Sequence, residues 1–151
     1  MTRETTLRER ALRLLARREH SRLEVKRKLA AFAASPEELD ALLEDLTRSR
    51  LVSDDRYAEV RGHVLSRRFG SLRVAHELKR QGVAEAPLER AVAAARSTEL
   101  ERAREFWRKR FGELPRNAQE RAKQMRFLQN RGFAMEVIRS VVRGGDFDDA
   151  S

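Results

Sequence analysis

The sequence predicts an all-α protein made of three tandem three-helix repeats, and two observations lead to this fold class. Apolar residues recur every three or four positions along the chain, as in amphipathic helices, and no segment alternates with the period of two expected of a strand. One helix-ending pattern also occurs twice, 50 positions apart, as Leu78-Lys79-Arg80-Gln81-Gly82-Val83 and as Leu128-Gln129-Asn130-Arg131-Gly132-Phe133. Units of about 50 residues are too small to bury a core alone, so we expect them to stack on their neighbours.

A third, weaker copy of the repeat lies near the start of the chain. The apolar residues that follow each pattern align across the copies: Leu39 and Leu43, Leu88 and Val92, Ile138 and Val142. Only the first copy departs, with Ala33 where the others have the glycine that closes a helix in the left-handed conformation. The predicted modules are residues 1–50, 51–96 and 97–144, followed by an acidic segment, 145–151, that we expect to be disordered.

The first module contains three helix signals. Apolar spacing predicts a helix over residues 7–18, and Ser21-Arg22-Leu23-Glu24 has the form of a capping box that starts the second helix. We expect this second helix to bury Leu29 and Phe32. Ser35-Pro36-Glu37-Glu38 predicts the third start, with proline at the first helical position, where its missing N–H costs nothing.

The second module opens at Leu51, and Ser53 is a suitable N-cap for the fourth helix. Asp54 and Asp55 place negative charge at the positive end of that helix; as adjacent carboxylates they are also candidates for a metal pair. We expect Val64 to pack in this helix, which breaks at Gly70. The fifth helix then runs to Gly82, and the sixth follows with Pro87 in its first turn.

The third module repeats the arrangement. Thr98-Glu99-Leu100-Glu101 is a candidate capping box for the seventh helix, which extends to Gly112. The eighth helix restarts at Asn117, and the ninth is expected from Ala134 to Arg143.

Composition restricts the possible functions. Lys and Arg number 33 against 24 Asp and Glu, giving a net charge of +9, which favours attraction to polyanions or to an acidic protein surface. The competing interpretation is a solvated surface of helix-stabilising charge pairs. The absence of cysteine excludes disulfides and thiolate metal sites, and no apolar run is long enough to cross a bilayer. We therefore expect a soluble cytoplasmic protein with no membrane partner.

The residue types needed for catalysis are not grouped in the sequence. It has no Gly-rich phosphate loop, serine elbow or zinc-binding histidine pair, and His20, His63 and His76 are not at ligand spacing. His20 is expected at a helix end and His63 on the surface. We predict a protein that is not an enzyme and needs no cofactor or metal.

A basic face is the strongest functional signal. Arg73, His76 and Arg80 lie three and four positions apart on the fifth helix, so they share one side of it. Their counterparts are Lys123, Arg126 and Asn130 in the third module, but Glu24, Arg27 and Ala31 in the first.

Arginines also end the fourth helix, where they either stabilise the helix dipole or bind a polyanion. We favour a polyanion-facing surface that contacts phosphates without reading bases. Aromatic residues are few and expected to be buried, so stacking on bases is not expected. The predicted contact residues are Arg67, Arg68, Arg73, Lys79, Arg80, Lys123, Arg126 and Arg131, although Arg131 is also placed to brace the turn at Gly132.

At these positions the sequence resembles the RecX family, the bacterial regulators of the RecA recombinase. The resemblance covers nearly the whole chain and depends on several short motifs in order: Ala11-Leu12-x-Leu14-Leu15, Glu19-His20-Ser21, Lys28-Leu29, Leu51-Val52-Ser53-Asp54-Asp55-Arg56-Tyr57-Ala58, Arg67-Arg68-Phe69-Gly70, Glu77-Leu78-x-x-x-Gly82-Val83 and Phe127-Leu128-x-x-Arg131-Gly132-Phe133. One departure is Ala33-Ala34, where the family usually has glycine and an apolar residue.

The resemblance implies an elongated, curved array of helical modules, acting as a monomer without a cofactor, that lodges in the groove of a RecA filament on DNA. It implies hindrance of ATP hydrolysis, strand exchange and the filament's stimulation of repressor self-cleavage. The alternative is a stand-alone helical protein that binds nucleic acid and competes for DNA.

Overall fold

The computed structural model describes residues 4–144, and the predicted acidic segment 145–151 lies outside the described residues. The described chain is all α, with nine α-helices and no strand, which confirms the predicted fold class. The helices are α1 Leu7–Arg17, α2 Arg22–Leu29, α3 Pro36–Arg48, α4 Asp54–Ser66, α5 Ser71–Arg80, α6 Glu85–Ser97, α7 Glu99–Arg110, α8 Ala118–Asn130 and α9 Met135–Arg143. None of them is both long and apolar enough to span a membrane.

By its internal contacts the chain divides into two compact units. Unit 1 comprises the chain up to Arg61 together with Leu78–Leu88, and unit 2 comprises Gly62–Glu77 together with the chain from Glu89 onwards. The helices α4, α5 and α6 of the predicted second module therefore each contribute residues to both units. The division into modules 1–50, 51–96 and 97–144 stays a prediction.

Unit 1 is organised around α2, which packs on α1 and α3. Its core contains the buried side chains of Ala11, Val25, Leu29, Leu39, Leu43, Leu46 and Val52. The predicted caps are present: Ser21 and Glu24 form a complete capping box, and Ser35 accepts from the Glu38 backbone N–H at 3.1 Å. Ser53 caps α4 in the same way. Each cap satisfies a backbone N–H that has no partner within its own helix.

The expected burial of Phe32 is wrong, and the geometry at the end of α2 gives the reason. The α-helix stops at Leu29 and continues as a 3₁₀ turn, Ala30–Phe32, and Ala33, where the other copies have glycine, is extended at φ −78° and ψ 141°. A 3₁₀ turn has three residues per turn and so rotates Phe32 away from the α-helical buried face. Phe32 is 54% exposed, and the Arg10 guanidinium lies 3.9 Å from the centroid of its ring.

Unit 2 is organised around α9, which packs on α7 and α8. Its core contains the buried residues Ala103, Leu128, Phe133, Ile138 and Val141. Gly132 has a φ of +81°, as its predicted role in closing a helix requires, and Gly82 has the same conformation at the end of α5 in unit 1.

Two further packing predictions need correction. Val64 is 40% exposed, because the buried face of α4 runs through Ala58, Gly62 and Leu65. The alignment of apolar positions is also imperfect: Ile138 and Val142 are buried, whereas Leu88 and Val92 are only half-buried.

Candidate polyanion-binding surface

The centre of the candidate surface is a crossing of two turns in unit 2, which we call the glycine crossing (residues 69–73 and 131–133). The Gly70 N–H donates to the Arg131 carbonyl at 2.8 Å, and the Leu72 N–H donates to the Gly132 carbonyl at 2.9 Å. A Cβ on Gly70 would overlap backbone atoms of Gly132 and Phe133. Glycine is therefore required at residue 70, because the two backbones touch there.

Arg131 braces this crossing from within. Its Nη1 donates to the Arg68 carbonyl at 3.1 Å, and its guanidinium lies 4.5 Å from the Phe106 ring centroid and 5.8 Å from that of Phe127. Cations over aromatic rings are attracted by the negative ring face. The structure thus shows the bracing role considered for Arg131, and its side chain is only half-buried.

Three exposed arginines lie in the glycine crossing or directly before it in the chain. Arg73 lies over the Phe69 ring at 4.8 Å from its centroid, and its Nε is 3.7 Å from a Glu77 carboxylate oxygen. The Nη2 atom of Arg67 lies 3.4 Å from Nε2 of His63. Within residues 4–144 the Arg68 guanidinium has no polar partner. We call Arg67, Arg68, Arg73 and Arg131 the crossing cluster.

The other four predicted cations are exposed but lie elsewhere. Lys123 and Arg126 are on α8, where Lys123 lines a cavity of about 220 Å³ together with Glu113 and Glu120. Lys79 and Arg80 belong to unit 1, where the Arg80 carbonyl accepts from Arg27 Nη1 at 3.4 Å. Among the described residues, the crossing therefore gathers half of the predicted set.

Sequence reasoning missed the role of Glu99, which holds two helix starts in unit 2. Glu99 is only 2% exposed, and its Oε1 accepts from the Ser71 N–H at 3.3 Å and from the Ala134 N–H at 2.8 Å. These amides lie at the amino ends of α5 and α9. A carboxylate stabilises both ends, because each helix dipole is positive there.

Arg102, one turn further along α7, holds the opposite ends of two helices. Its guanidinium donates to the carbonyls of Ser66, Phe69 and Ala95, the last two at 2.7 Å. Burial lowers the pKa of Arg102, and the charge of Glu99 opposes this shift. These bonds fix the backbone on both sides of Arg67 and Arg68, and thereby position that part of the crossing cluster.

The predicted capping box at Thr98 is wrong, because its hydroxyl has another partner. Thr98 makes no side-chain cap bond and instead accepts from Arg102 Nε at 3.0 Å. The acidic residue that matters is Glu99, and it caps other helices rather than its own.

Unit 1 contains the same arrangement. The Asp54 carboxylate accepts from the Arg22 N–H, at the start of α2, at 2.8 Å, and Arg56 donates to the Arg50 carbonyl, after α3, at 2.9 Å. Burial raises the pKa of Asp54, and the bond from Arg22 opposes this. In both units an acid and an arginine near the start of one helix hold the ends of other helices. No shared spacing marks these pairs in the sequence, since Asp54 and Arg56 are two positions apart and Glu99 and Arg102 are three.

His20 is part of a buried polar cluster in unit 1. Its Nδ1 lies 3.0 Å from the Arg18 carbonyl and its Nε2 lies 3.2 Å from Lys28 Nζ. Burial lowers the pKa of His20, and the charges of Arg18 and Lys28 act in the same direction. A neutral His20 donates from Nδ1 and accepts at Nε2, which is a structural role at the end of α1.

Glu24 completes this polar cluster. Its Oε2 accepts from Arg18 at 2.8 Å. Burial tends to raise the pKa of Glu24, but the hydrogen bonds from Arg18 and from the Ser21 N–H outweigh it and keep the pKa lowered. The carboxylate is therefore stabilised in its charged form.

As for metal chemistry, no group of three His, Asp or Glu side chains within residues 4–144 is arranged to hold an ion.

Comparison with known proteins places this chain in a family. The family model for the first three-helix domain of RecX matches residues 8–46, and the model for its third three-helix domain matches residues 97–142. The chain is 46% identical over 143 residues to the regulatory protein RecX of Leptothrix cholodnii, covering 95% of this chain and 91% of that protein. It is 45% identical to the regulatory protein RecX of Chromobacterium violaceum, covering 95% and 93%.

The fold has solved counterparts. The crystal structure of RecX from Lactobacillus salivarius superimposes with a TM-score of 0.78 at 19% identity, covering 93% of this chain and 95% of that one. A second crystal structure of a regulatory protein RecX gives the same TM-score. The sequence relatives, matched over nearly their full length, are named as regulatory proteins rather than enzymes. The chain belongs to the RecX family of regulatory proteins.

Proposed function

We propose that this protein binds the RecA recombinase filament on DNA and modulates it, mainly by inhibition. The affected activities are ATP hydrolysis, strand exchange and the coprotease reaction, in DNA repair and the SOS response. The protein acts as a monomer in the cytoplasm and brings no cofactor or catalytic group of its own. Membership of the RecX family supports this function.

The crossing cluster is the observation that carries the proposal. Arg67, Arg68 and Arg73 are exposed on a backbone held by Glu99 and Arg102, so the chain that carries them is ordered before a partner arrives. Guanidinium groups form paired hydrogen bonds with carboxylates and phosphates. A filament on DNA presents both kinds of group, and the net charge of +9 favours association with it.

Under this proposal the remaining predicted cations make additional contacts with the filament. Lys123 and Arg126 add charge from α8, and Lys79 and Arg80 add charge from unit 1. Reversing either pair should weaken the effect on the filament less than reversing two residues of the crossing cluster. An equal or larger loss would move the main contact away from the crossing.

The deciding experiment measures the DNA-dependent ATPase of the cognate recombinase on single-stranded DNA, titrated with this protein at fixed salt. Inhibition by protein well below the amount that covers the DNA is expected. Reversing charge with Arg67→Glu and Arg68→Glu should raise the half-inhibitory concentration about tenfold, or about 1.4 kcal/mol. Arg13→Glu with Arg17→Glu is the matched control, since both are exposed on α1 outside the proposed contact. Equal effects of the two pairs would refute the assignment.

A stand-alone DNA-binding protein is the alternative function, and the same arginines favour it. In that case inhibition should begin only when the protein covers the DNA. It should also fall with salt as steeply as the protein's own DNA affinity, because counterion release dominates phosphate binding. If the protein acts through the filament, the strength of inhibition should not follow the protein's affinity for bare DNA.

A further inference from the structure

Leu72 is an exposed aliphatic side chain in the middle of the glycine crossing. It is 52% exposed, while its neighbours Ser71 and Val74 are completely buried. The first turn of α5 therefore faces the core with Ser71 and Val74 and faces solvent with Leu72 and Arg73. A single exposed leucine is ordinary on a protein surface, so its setting has to carry any functional meaning.

That setting combines a fixed backbone with surrounding positive charge. The Leu72 N–H donates to the Gly132 carbonyl at 2.9 Å, and the Gly70 N–H donates to the Arg131 carbonyl at 2.8 Å. Arg73 follows directly in the chain. The leucine side chain is thus presented by a backbone that loses little freedom on binding, which favours affinity.

We propose that Leu72 is the apolar anchor of a protein–protein contact, entering an apolar pocket on an acidic protein surface while the crossing cluster pairs with its carboxylates. The inference rests on the proposed function and names the protein component of the filament, rather than its DNA, as the surface that the crossing meets. Protein–protein contacts are built around an aromatic or aliphatic side chain that fills a pocket at their centre, with arginine enriched and a polar rim around it. Leu72 with Arg68 and Arg73 has this composition.

The chemistry separates protein from nucleic acid. A phosphate backbone offers hydrogen-bond acceptors and negative charge, from which the arginines gain and an isobutyl group does not. An aliphatic side chain contributes to DNA binding when it is wedged between base steps, which would make DNA affinity depend on Leu72. Measuring both affinities therefore distinguishes the two partners.

The test compares Leu72→Ala with Leu114→Ala, a matched truncation of another exposed leucine of unit 2, 42% exposed and between α7 and α8. For each variant two quantities are measured at one salt concentration. The first is the half-inhibitory concentration for the recombinase ATPase on single-stranded DNA. The second is the affinity for labelled DNA without recombinase, by fluorescence anisotropy. Circular dichroism melting checks folding, which the change should preserve because Leu72 fills no core.

Leu72→Ala should raise the half-inhibitory concentration about tenfold, corresponding to about 1.4 kcal/mol. It should leave DNA affinity within about twofold, whereas Leu114→Ala should change neither quantity. The conservative change Leu72→Met should restore most of the inhibition, since a thioether side chain fills an apolar pocket adaptably.

Three results would overturn the inference. Equal losses of inhibition and DNA affinity in Leu72→Ala would mean that the residue meets nucleic acid. Unchanged inhibition would mean that it anchors nothing, and an equal loss in Leu114→Ala would mean that the effect is not specific to the crossing. Failure of the proposed function looks different, because the unmodified protein would then inhibit only when the DNA is saturated.

Discussion

Replacing Gly70 with alanine should strongly destabilise unit 2, because the glycine crossing leaves no room for a side chain. The added Cβ would lie 2.5 Å from the Phe133 backbone nitrogen and closer still to the Gly132 carbonyl oxygen. Carbon atoms pack at about 3.5–4.0 Å, so the two turns must separate by about 1 Å. No flexible side chain can move aside, since the obstructing atoms all belong to backbone.

The magnitude follows from two contributions. Crowding of this kind costs about 1–3 kcal/mol. The separation also lengthens the hydrogen bonds from Gly70 and Leu72, now 2.8 and 2.9 Å, beyond useful range, at about 0.5–1.5 kcal/mol each. Together these give roughly 2–6 kcal/mol. For a protein of this size, each kcal/mol lowers Tm by about 2–4 °C.

The assay is thermal and urea unfolding followed by circular dichroism, with Gly112→Ala as the control. Gly112 has a φ of +73°, but the nearest atom to a Cβ there is the Arg108 carbonyl oxygen at 3.4 Å. This variant carries left-handed strain of about 1–2 kcal/mol without backbone overlap. If Gly70→Ala melts within about 2 °C of the unmodified protein, or no lower than Gly112→Ala, the reasoning from the crossing is wrong.

Three further predictions concern stability. Glu99→Ala removes the acceptor of two amide donors, at Ser71 and Ala134, and should lower the free energy of unfolding by about 2–4 kcal/mol in urea titration; Glu99→Gln keeps an acceptor and should lose less. The pKa of His20 is lowered in the folded protein, so the unfolded state binds more protons below about pH 6.5, and stability should fall as pH drops through that value. Ala33→Gly restores the repeat pattern but should destabilise by about 0.5–1 kcal/mol in thermal melting, because Ala33 is extended and glycine only adds freedom to the unfolded chain.

Each of these has a clear contrary result. Equal stabilities of Glu99→Ala and Glu99→Gln would show that the two amides find other acceptors. A His20→Gln variant should lose the pH dependence between pH 5.5 and 7.5, at about the range where histidine titrates; if the dependence persists, another group is responsible. A stabilising Ala33→Gly would mean that the turn after α2 adopts a left-handed conformation in solution.

The local features of the fold were largely accessible from the sequence. Ser21, Ser35 and Ser53 cap helices as predicted, because a cap joins a side chain to an amide only three residues away. The left-handed glycine after α8 was predicted for the same reason. Features that depend on residues within one helical turn can be predicted from a short segment of sequence.

The candidate site was predictable only in part. The eight cations are exposed apart from Arg131, which is half-buried, yet their spacing did not reveal that Arg131 donates to the Arg68 carbonyl across 63 residues. Aromatic residues were expected to be buried, whereas Phe69 and Phe106 are half-buried and lie beneath arginines. Its charge indicates that a residue can bind a polyanion, but not which residues of its own chain it contacts in the folded protein.

The sequence by itself predicted the helices, most of their caps and the family, since all of these depend on residue types at short spacings. The tertiary structure alone decided the roles of Glu99 and Arg102, which bind helix ends up to 36 residues away. It also brought Gly70 against Gly132, where an unsubstituted Cα is required on geometric grounds. The physical reason is range: a helix is stabilised by neighbours three or four positions away, while the contacts that order its ends against other helices exist only after packing.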